Sequence, residues 1–400
     1  MNSSLAKRLN SIRRSARVKV ENLFLVMPSG RIKANRNLVA VWTAPRITNN
    51  VGDRALTEGS LALIPADNAA LICRDGEEYR GEISKLFLFP QSAEAGKFVD
   101  FIKYIWRFKR EIGSCAAVLI VGADIMDGKY GDRTSVLRWK LATWLKSQSV
   151  DAALFSMSWN AAPTLSAITE AKKASAAGVK IFARDEYSLT RLHESGLNAE
   201  FASDVSFLRV DQQEPNAQII AKYAASTKKV LVNVSDWVTD TESMFEAIVA
   251  ALRSLSDEYE IIYVPMVHYG ANTDTVACEK LASRVPGWIL PQLPKPSELR
   301  WMAARSEFSI SARMHCCLIG FAAGLPSIGL EYQGKFKGAF KTFGIEHLAI
   351  LPQDFETTFP TAFAEVVGNS DQIRTSISAQ IPSVVASARI PLDQAIGKLS

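Results

Sequence analysis

Between residues 310 and 340 the run ISARMHCCLIGFAAGLPSIGLEYQGKFKGAF opens on Arg313 and His315, two apart, and closes on Lys335 and Lys337, again two apart. Glu331 is the one acid between them. The part FSISARMHCCLIGFAAGLP reads as strand, tight turn and helix, with Gly324 just past the helix end and Pro326 beyond it. Arg313 and His315 then stand at the helix N-terminus, where unsatisfied backbone N–H groups and the positive end of the dipole favour an anion. Arginine adds a two-pronged donor matched to phosphate or carboxylate, and histidine moves a proton near neutral pH. The residues alone leave a second reading open, in which Arg313 pairs with a nearby carboxylate and His315 is hydrogen-bonded in the core. Lys335 and Lys337, flanked by Gly334 and Gly338, either add charge to the same anion site or form a solvated loop.

The elements that would position these groups follow from short apolar runs alternating with helical patterns, the mark of βα units and parallel sheets. In the first half the runs are at 22–27, 37–44, 69–73, 115–123, 152–159 and 179–184; in the second they are at 229–234, 260–267, 287–293, 308–312, 326–332 and 348–353. The polar stretch RVDQQEPNAQ at 209–218 separates the halves as a linker. The expected fold is α/β, two doubly wound Rossmann-like domains facing a cleft, with boundaries at 1–210 and 211–400 and the last helix returning to the first domain. Ligands in such sheets lie beyond the carboxyl ends of the strands.

With 400 residues, 48% hydrophobic and 22% charged, the chain has material for two cores. The basic excess, 46 Lys and Arg against 41 Asp and Glu, is spread out, with local density only in Lys7, Arg8, Arg13, Arg14, Arg17 and Lys19. No basic stripe interleaved with aromatics suggests a nucleic-acid partner. Five cysteines without a CxxC pair argue against a disulfide framework or zinc site and for a reducing compartment. The opening segment has charges but no apolar run behind them, and the longest uncharged stretch, Met314 to Leu330, is broken by Gly324 and Pro326. The expectation is a cytoplasmic protein whose basic N-terminus offers a peripheral contact with the inner face of a membrane.

Taken together the residues resemble the polysaccharide pyruvyl transferase family. The run from Ile310 to Phe340 looks like that family's C-terminal signature, an R-L-H trio opening a helix followed by a strand and a Y-x-x-K-like loop, with Met314 in place of the leucine. TNNVGDRAL resembles its N-x-G-D segment through Asn50, Gly52 and Asp53, and IFARDEYS with the later DVSF matches its R-D-x-x-S and D-x-x-F elements through Arg184, Asp185, Ser188, Asp204 and Phe207. AAVLIVGADIMDGKYG departs from the usual G-G at Ala123 and Asp124, and SMSWNAAP replaces a G-x-S-x-G-P segment, which leaves contacts near Ser156, Ser158 and Asn160 open. The resemblance covers residues 40 to 355 or thereabouts and implies a GT-B-like arrangement of the two domains.

It implies transfer of the enolpyruvyl group of phosphoenolpyruvate, the donor substrate, to two hydroxyls of a sugar, oligosaccharide or lipid-linked saccharide, giving a ketal and phosphate with no cofactor and no metal. In that chemistry Arg313 clamps an anion, His315 is the general acid or base and Lys335 contacts phosphate. Asn50 and Asp53 belong to the substrate side, Asp53 either accepting sugar hydroxyls or capping a helix that starts RALTEGS. Asp127 orients an acceptor or makes a simple D-G turn. Arg184 is a second anion contact or a helix-start partner of Asp185 or Glu186. His268 follows the second strand of the C-terminal half and lines the cleft, and Trp159 stacks on a sugar or sits in the core. Two other readings remain: a GT-B-like nucleotide-sugar glycosyltransferase, with Glu331 on the ribose, and a non-catalytic sugar-binding member of the family.

Overall fold

The structure, a computed structural model, describes residues 37–43, 47–88, 98–209, 211–269, 272–331 and 334–399. The strand expected at 22–27, the basic residues Lys7 to Lys19 and Tyr332 of the Y-x-x-K-like loop lie outside these ranges.

The first sheet has seven parallel strands: β1 (Val39–Trp42), β2 (Ala69–Cys73), β3 (Lys85–Leu88), β4 (Ala117–Ala123), β5 (Asp151–Met157), β6 (Lys180–Ala183) and β7 (Glu200–Phe201). Their order is β3-β2-β1-β4-β5-β6-β7. Helices α1 (Val51–Leu61), α2 (Phe98–Ile112), α3 (Asp132–Ser147), α4 (Leu165–Ala176) and α5 (Glu186–Glu194) make the connections. Parallel strands covered on both faces must be apolar on both. Alternate residues of β1 and β4 accordingly enter different cores: Ala40, Trp42, Val118 and Ile120 one, and Val39, Val41, Leu119 and Val121 the other.

The second sheet repeats the plan with β8 (Lys228–Asn233), β9 (Tyr259–Tyr263), β12 (Trp288–Ile289), β13 (Phe308–Ser311), β14 (Ser327–Leu330) and β15 (Ala349–Ile350), in the order β12-β9-β8-β13-β14-β15. A small antiparallel hairpin, β10 (His268–Tyr269) with β11 (Asn272–Thr273), follows β9. The helices are α6 (Ala217–Tyr223), α7 (Asp236–Thr239), α8 (Glu242–Arg253), α9 (Asp274–Ala282), α10 (Pro296–Ala303), α11 (Met314–Ala322), α12 (Phe336–Lys341), α13 (Phe355–Gly368) and α14 (Ser370–Ile396). The expected α/β class with two doubly wound sheets is what the chain forms. Several strands are shorter than their apolar runs, because Pro265 and Pro291 remove ladder donors after β9 and β12. Among the described strands, β3, β7 and the hairpin had no counterpart in the sequence reading.

Strand order reverses between β1 and β4 in one sheet and between β8 and β13 in the other, which opens a crevice at the carboxyl ends of each. Two elements tie the halves together. Val51 and Ala55 of α1 share a core with Leu231, Ile262, Leu299, Met302, Cys316 and Ile319 of the second half. The Val51 N–H donates to the Met266 carbonyl at 3.0 Å and the His268 N–H to the Asn49 carbonyl at 2.9 Å. Near the end of the chain, α14 lays Leu392 and Ala395 into the core beneath β1, β4 and β5.

Candidate functional site

β13 ends at Ser311, whose hydroxyl receives the Arg313 N–H at 3.0 Å and donates to Asn233 Oδ1 at 3.1 Å, making the tight turn into α11. The body of α11 is buried from Cys316 to Phe321, as an all-round apolar helix must be. It stops at Gly324, with φ +76° and the Leu325 N–H returning to the Gly320 carbonyl at 2.9 Å.

Arg313 turns to a carboxylate. Its Nη2 donates to Asp274 Oδ1 at 2.7 Å and its Nε reaches both oxygens, at 3.2 and 3.3 Å. Asp274, buried at the start of α9, also accepts from Asn233 Nδ2 at 3.0 Å and from the Met266 N–H at 3.1 Å. The carboxylate-partner reading of Arg313 therefore describes its environment, with 27% of the side chain left exposed.

His315 points across to the first half. Its Nε2 lies 3.6 Å from Asp204 Oδ2, slightly beyond hydrogen-bond length, and is buried without a hydrogen-bond partner. A Cβ added at Gly52 would sit 2.7 Å from Nδ1, so the glycine of the N-x-G-D segment makes room for the imidazole. Asp204 is almost wholly buried, accepts the Ser206 N–H at 2.9 Å and pairs with Arg184 Nη1 at 3.0 Å. Burial alone would raise its carboxyl; His315, Arg184 and the Ser206 amide instead hold it well below the usual carboxylate range.

Arg184 corrects an expectation. It forms no helix-start pair with Asp185 or Glu186; its Nε donates to Ser158 Oγ at 2.8 Å and its charge goes to Asp204. Asp185 is occupied in capping α5, accepting the Ser188 N–H at 2.8 Å, and Glu186 pairs with Lys341 at 2.8 Å. Lys335 reaches from the loop after β14 to Asp124, at the end of β4, with Nζ to Oδ2 at 2.7 Å. Burial would raise the Asp124 carboxyl, but Lys335, helped by Arg184 and His315, lowers it to about 2. The two departures from glycine-rich segments sit here as well. Ala123 has φ +46° and Ser156 φ +48°, left-handed conformations that cost about 1–2 kcal/mol in a residue with a Cβ.

The remaining candidates are placed as follows. Asn50, not Asp53, caps α1, its Oδ1 accepting the Gly52 and Asp53 N–H groups at 2.9 and 3.3 Å. The helix starts at Val51, three residues before the expected Arg54, so Asp53 is a first-turn acid complementing the dipole. Asp127 is buried with both oxygens engaged, by the Lys129 N–H at 2.9 Å and the Asn160 N–H at 3.1 Å, around Gly128 at φ +83°. That is the turn reading, and burial raises its carboxyl. His268 is exposed on the hairpin, where its backbone joins the two halves. Trp159 is wholly buried, edge-on to Trp139, and so is core rather than a sugar platform.

The structure therefore gathers His315, Arg184, Asp204, Lys335 and Asp124 beyond the carboxyl ends of β4, β6, β7 and β14 and at the start of α11. Arg313 stands on the same turn but is turned to Asp274. Asn50 caps α1 and His268 sits on the hairpin, whereas Asp127, held in its turn, also lines the small cleft beside this cluster. A small cleft beside the cluster is lined by Asp124, Lys129, Tyr130, Asn160, Arg191 and Lys335, among others. Three acids with central places, Asp124, Asp204 and Asp274, were given no role by sequence reading. Asp124 directly follows the apolar run 115–123 and Asp204 is the acid of the D-x-x-F element, whereas no apolar run leads directly into Asp274. Glu331, the ribose candidate of the glycosyltransferase reading, is fully buried and accepts the Phe336 and Lys337 N–H groups at 2.7 and 3.2 Å, capping α12. Among the described residues no trio of His, Cys, Asp or Glu side chains forms a metal site, and no helix is long and apolar enough to cross a membrane.

A family model described as polysaccharide pyruvyl transferase matches residues 50–334. No curated protein matches the chain. Among solved structures, a putative UDP-N-acetylglucosamine 2-epimerase from Listeria monocytogenes is similar with a TM-score of 0.61 at 12% identity, over 90% of this chain and 98% of that one. The UDP-GlcNAc 2-epimerase of Neisseria meningitidis bound to UDP-GlcNAc gives 0.60 at 9%, over 90% and 99%. A UDP-glucosyltransferase from Polygonum tinctorium, in complex with 3,4-dichloroaniline, gives 0.55 at 10%, over 92% and 99%. At such identities the likeness is one of fold, the GT-B arrangement.

Proposed function

The chain belongs to the polysaccharide pyruvyl transferase family, and from that membership we propose that it moves the enolpyruvyl group of phosphoenolpyruvate onto two hydroxyls of a sugar in a surface polysaccharide or its precursor. The products are a pyruvate ketal and phosphate. The observation that carries this reading is the meeting of His315, from the second half, with the buried Asp204–Arg184 pair of the first, at 3.6 Å from Asp204.

His315 delivers a proton to the enol CH2, which becomes a methyl group and leaves C2 as an oxocarbenium-like centre. One sugar hydroxyl adds to C2 and its proton returns to the imidazole. The bond from C2 to the phosphate oxygen breaks as the second hydroxyl closes the ring, and the second proton leaves with phosphate. The C=C π bond, two O–H bonds and one C–O bond are lost; one C–H, two C–O and one phosphate O–H bond are gained. Asp204, held ionised, faces the imidazole, and the charges of Lys335 and Arg184 favour the leaving phosphate. Arg313, anchored by Asp274, is assigned to the donor carboxylate.

In the nucleotide-sugar reading Glu331 is the candidate for the ribose, and both of its oxygens accept N–H groups of α12. Thermal midpoints separate the readings. Phosphoenolpyruvate at about 100 times its dissociation constant should stabilise the protein by roughly 2.7 kcal/mol, UDP and GDP should not, and Lys335→Ala should lose the shift. His315→Gln should keep it yet release no phosphate when an acceptor is supplied. A shift with UDP or GDP alone would overturn the proposal in favour of nucleotide-sugar transfer. A shift with a saccharide alone would favour the non-catalytic reading.

A further inference from the structure

Asp124 occupies an unusual place. It follows the last residue of β4, the left-handed Ala123, and projects across the crevice to Lys335 at 2.7 Å. It shares the wall of the small cleft with Lys335 and with Ser158, whose hydroxyl holds Arg184 at 2.8 Å. Nearly a third of the Asp124 side chain remains open to water, whereas Lys335 is 14% exposed. A carboxylate with solvent access is thus lodged against a mostly buried ammonium, on the side where Arg184 and His315 also lower its carboxyl.

Burying a lysine is costly unless an anion accompanies it. The same requirement can be met by a phosphate or carboxylate of a ligand, which offers Lys335 an equivalent oxygen. Two anions cannot share one ammonium at hydrogen-bond distance without repelling each other.

We propose that Asp124 is a resident occupant of the donor's anion site, so that binding of a phosphorylated donor is an exchange in which ligand oxygens replace the Asp124 carboxylate on Lys335. This rests on the donor reading of the site given above. Asp124 is a positioning residue: it keeps Lys335 aimed into the crevice while the site is empty and lowers the affinity for any anion, product phosphate included. No covalent step is involved.

The test is a two-by-two set of full-length proteins, wild type, Asp124→Asn, Lys335→Ala and the double variant, titrated with inorganic phosphate and separately with phosphoenolpyruvate by calorimetry. Removing the competing carboxylate should tighten phosphate by about tenfold or more, the scale of one charge-assisted hydrogen bond. That gain should vanish when Lys335 is absent. A gain of equal size in the Lys335→Ala background would overturn the proposal, since it would reflect removal of a distant negative charge. Unchanged or weaker phosphate binding in Asp124→Asn would overturn it too, leaving Asp124 as a tie between the halves. Asp124→Ser serves as the second variant if the asparagine retains the contact. A lysine-dependent gain for phosphate with no binding of phosphoenolpyruvate to any of the four proteins would uphold the exchange and overturn the donor assignment.

Discussion

His315 and Asp204 come from different halves of the chain and approach to 3.6 Å only in the folded protein. The imidazole is set at the mouth of a buried helix and the carboxylate is kept ionised in a dry place by Arg184 and a backbone amide. Asp124 plays the equivalent part opposite Lys335. Both acids have folded values below the ordinary one, so unfolding takes up protons. Their stabilisation is complete above about pH 5, where the unfolded carboxyls are almost fully ionised, and is lost as pH falls toward the folded value of about 2 for Asp124. Asp124→Asn should therefore be less stable than wild type at pH 6, by about 1 kcal/mol after allowing for solvent screening. The gap should narrow by pH 3. Urea midpoints at the two pH values measure it, and a gap independent of pH would show that the carboxylate charge contributes nothing.

The contact between α1 and α11 is what brings the imidazole to its partner. Gly52 lies in the first turn of α1, where alanine would suit the helix better by about 1 kcal/mol. A methyl group there would stand 2.7 Å from His315 Nδ1, so the ring would have to move. Gly52→Ala should consequently fold with a thermal midpoint near that of wild type and release phosphate at least about tenfold more slowly, since an angstrom of misplacement is enough for such a loss. Wild-type turnover would mean that the ring has room to spare. The same principle governs the ends of β4 and β5, where Ala123 and Ser156 accept left-handed strain, Ala123 next to Asp124 and Ser156 with its hydroxyl accepting the Val205 N–H next to Asp204.

Across the whole molecule, the first sheet depends on the last helix. Leu392 is fully buried under β-strands that lie far earlier in the chain, from Val39 to Phe155. Leu392→Ala should cost about 2–5 kcal/mol and should raise amide exchange in β4 and β5 before β8 and β13. Equal loss of protection in both sheets would instead mean that the halves unfold as one. The crevice is also bridged by Tyr187 Oη donating to Glu346 at 2.6 Å and by Lys341 with Glu186 at 2.8 Å. These rim pairs are partly in water and add little each.

Strand and helix periods, the stop at Gly324 and the placing of Arg313 and His315 at a helix mouth were legible in the sequence, because steric and hydrophobic patterning acts over a few residues. So were the two doubly wound sheets and the family. Tertiary structure alone decided that Arg184 pairs with Asp204 rather than Asp185, that Asp274 claims Arg313, that Asn50 is the cap, that Trp159 is core and that Lys335 meets Asp124, 211 positions away. Local patterning puts a charged residue at the end of a strand but cannot say which other strand ends converge there. A buried charge takes the partner that shares its crevice, and the crevice exists only once two sheets have reversed their strand order and closed on each other.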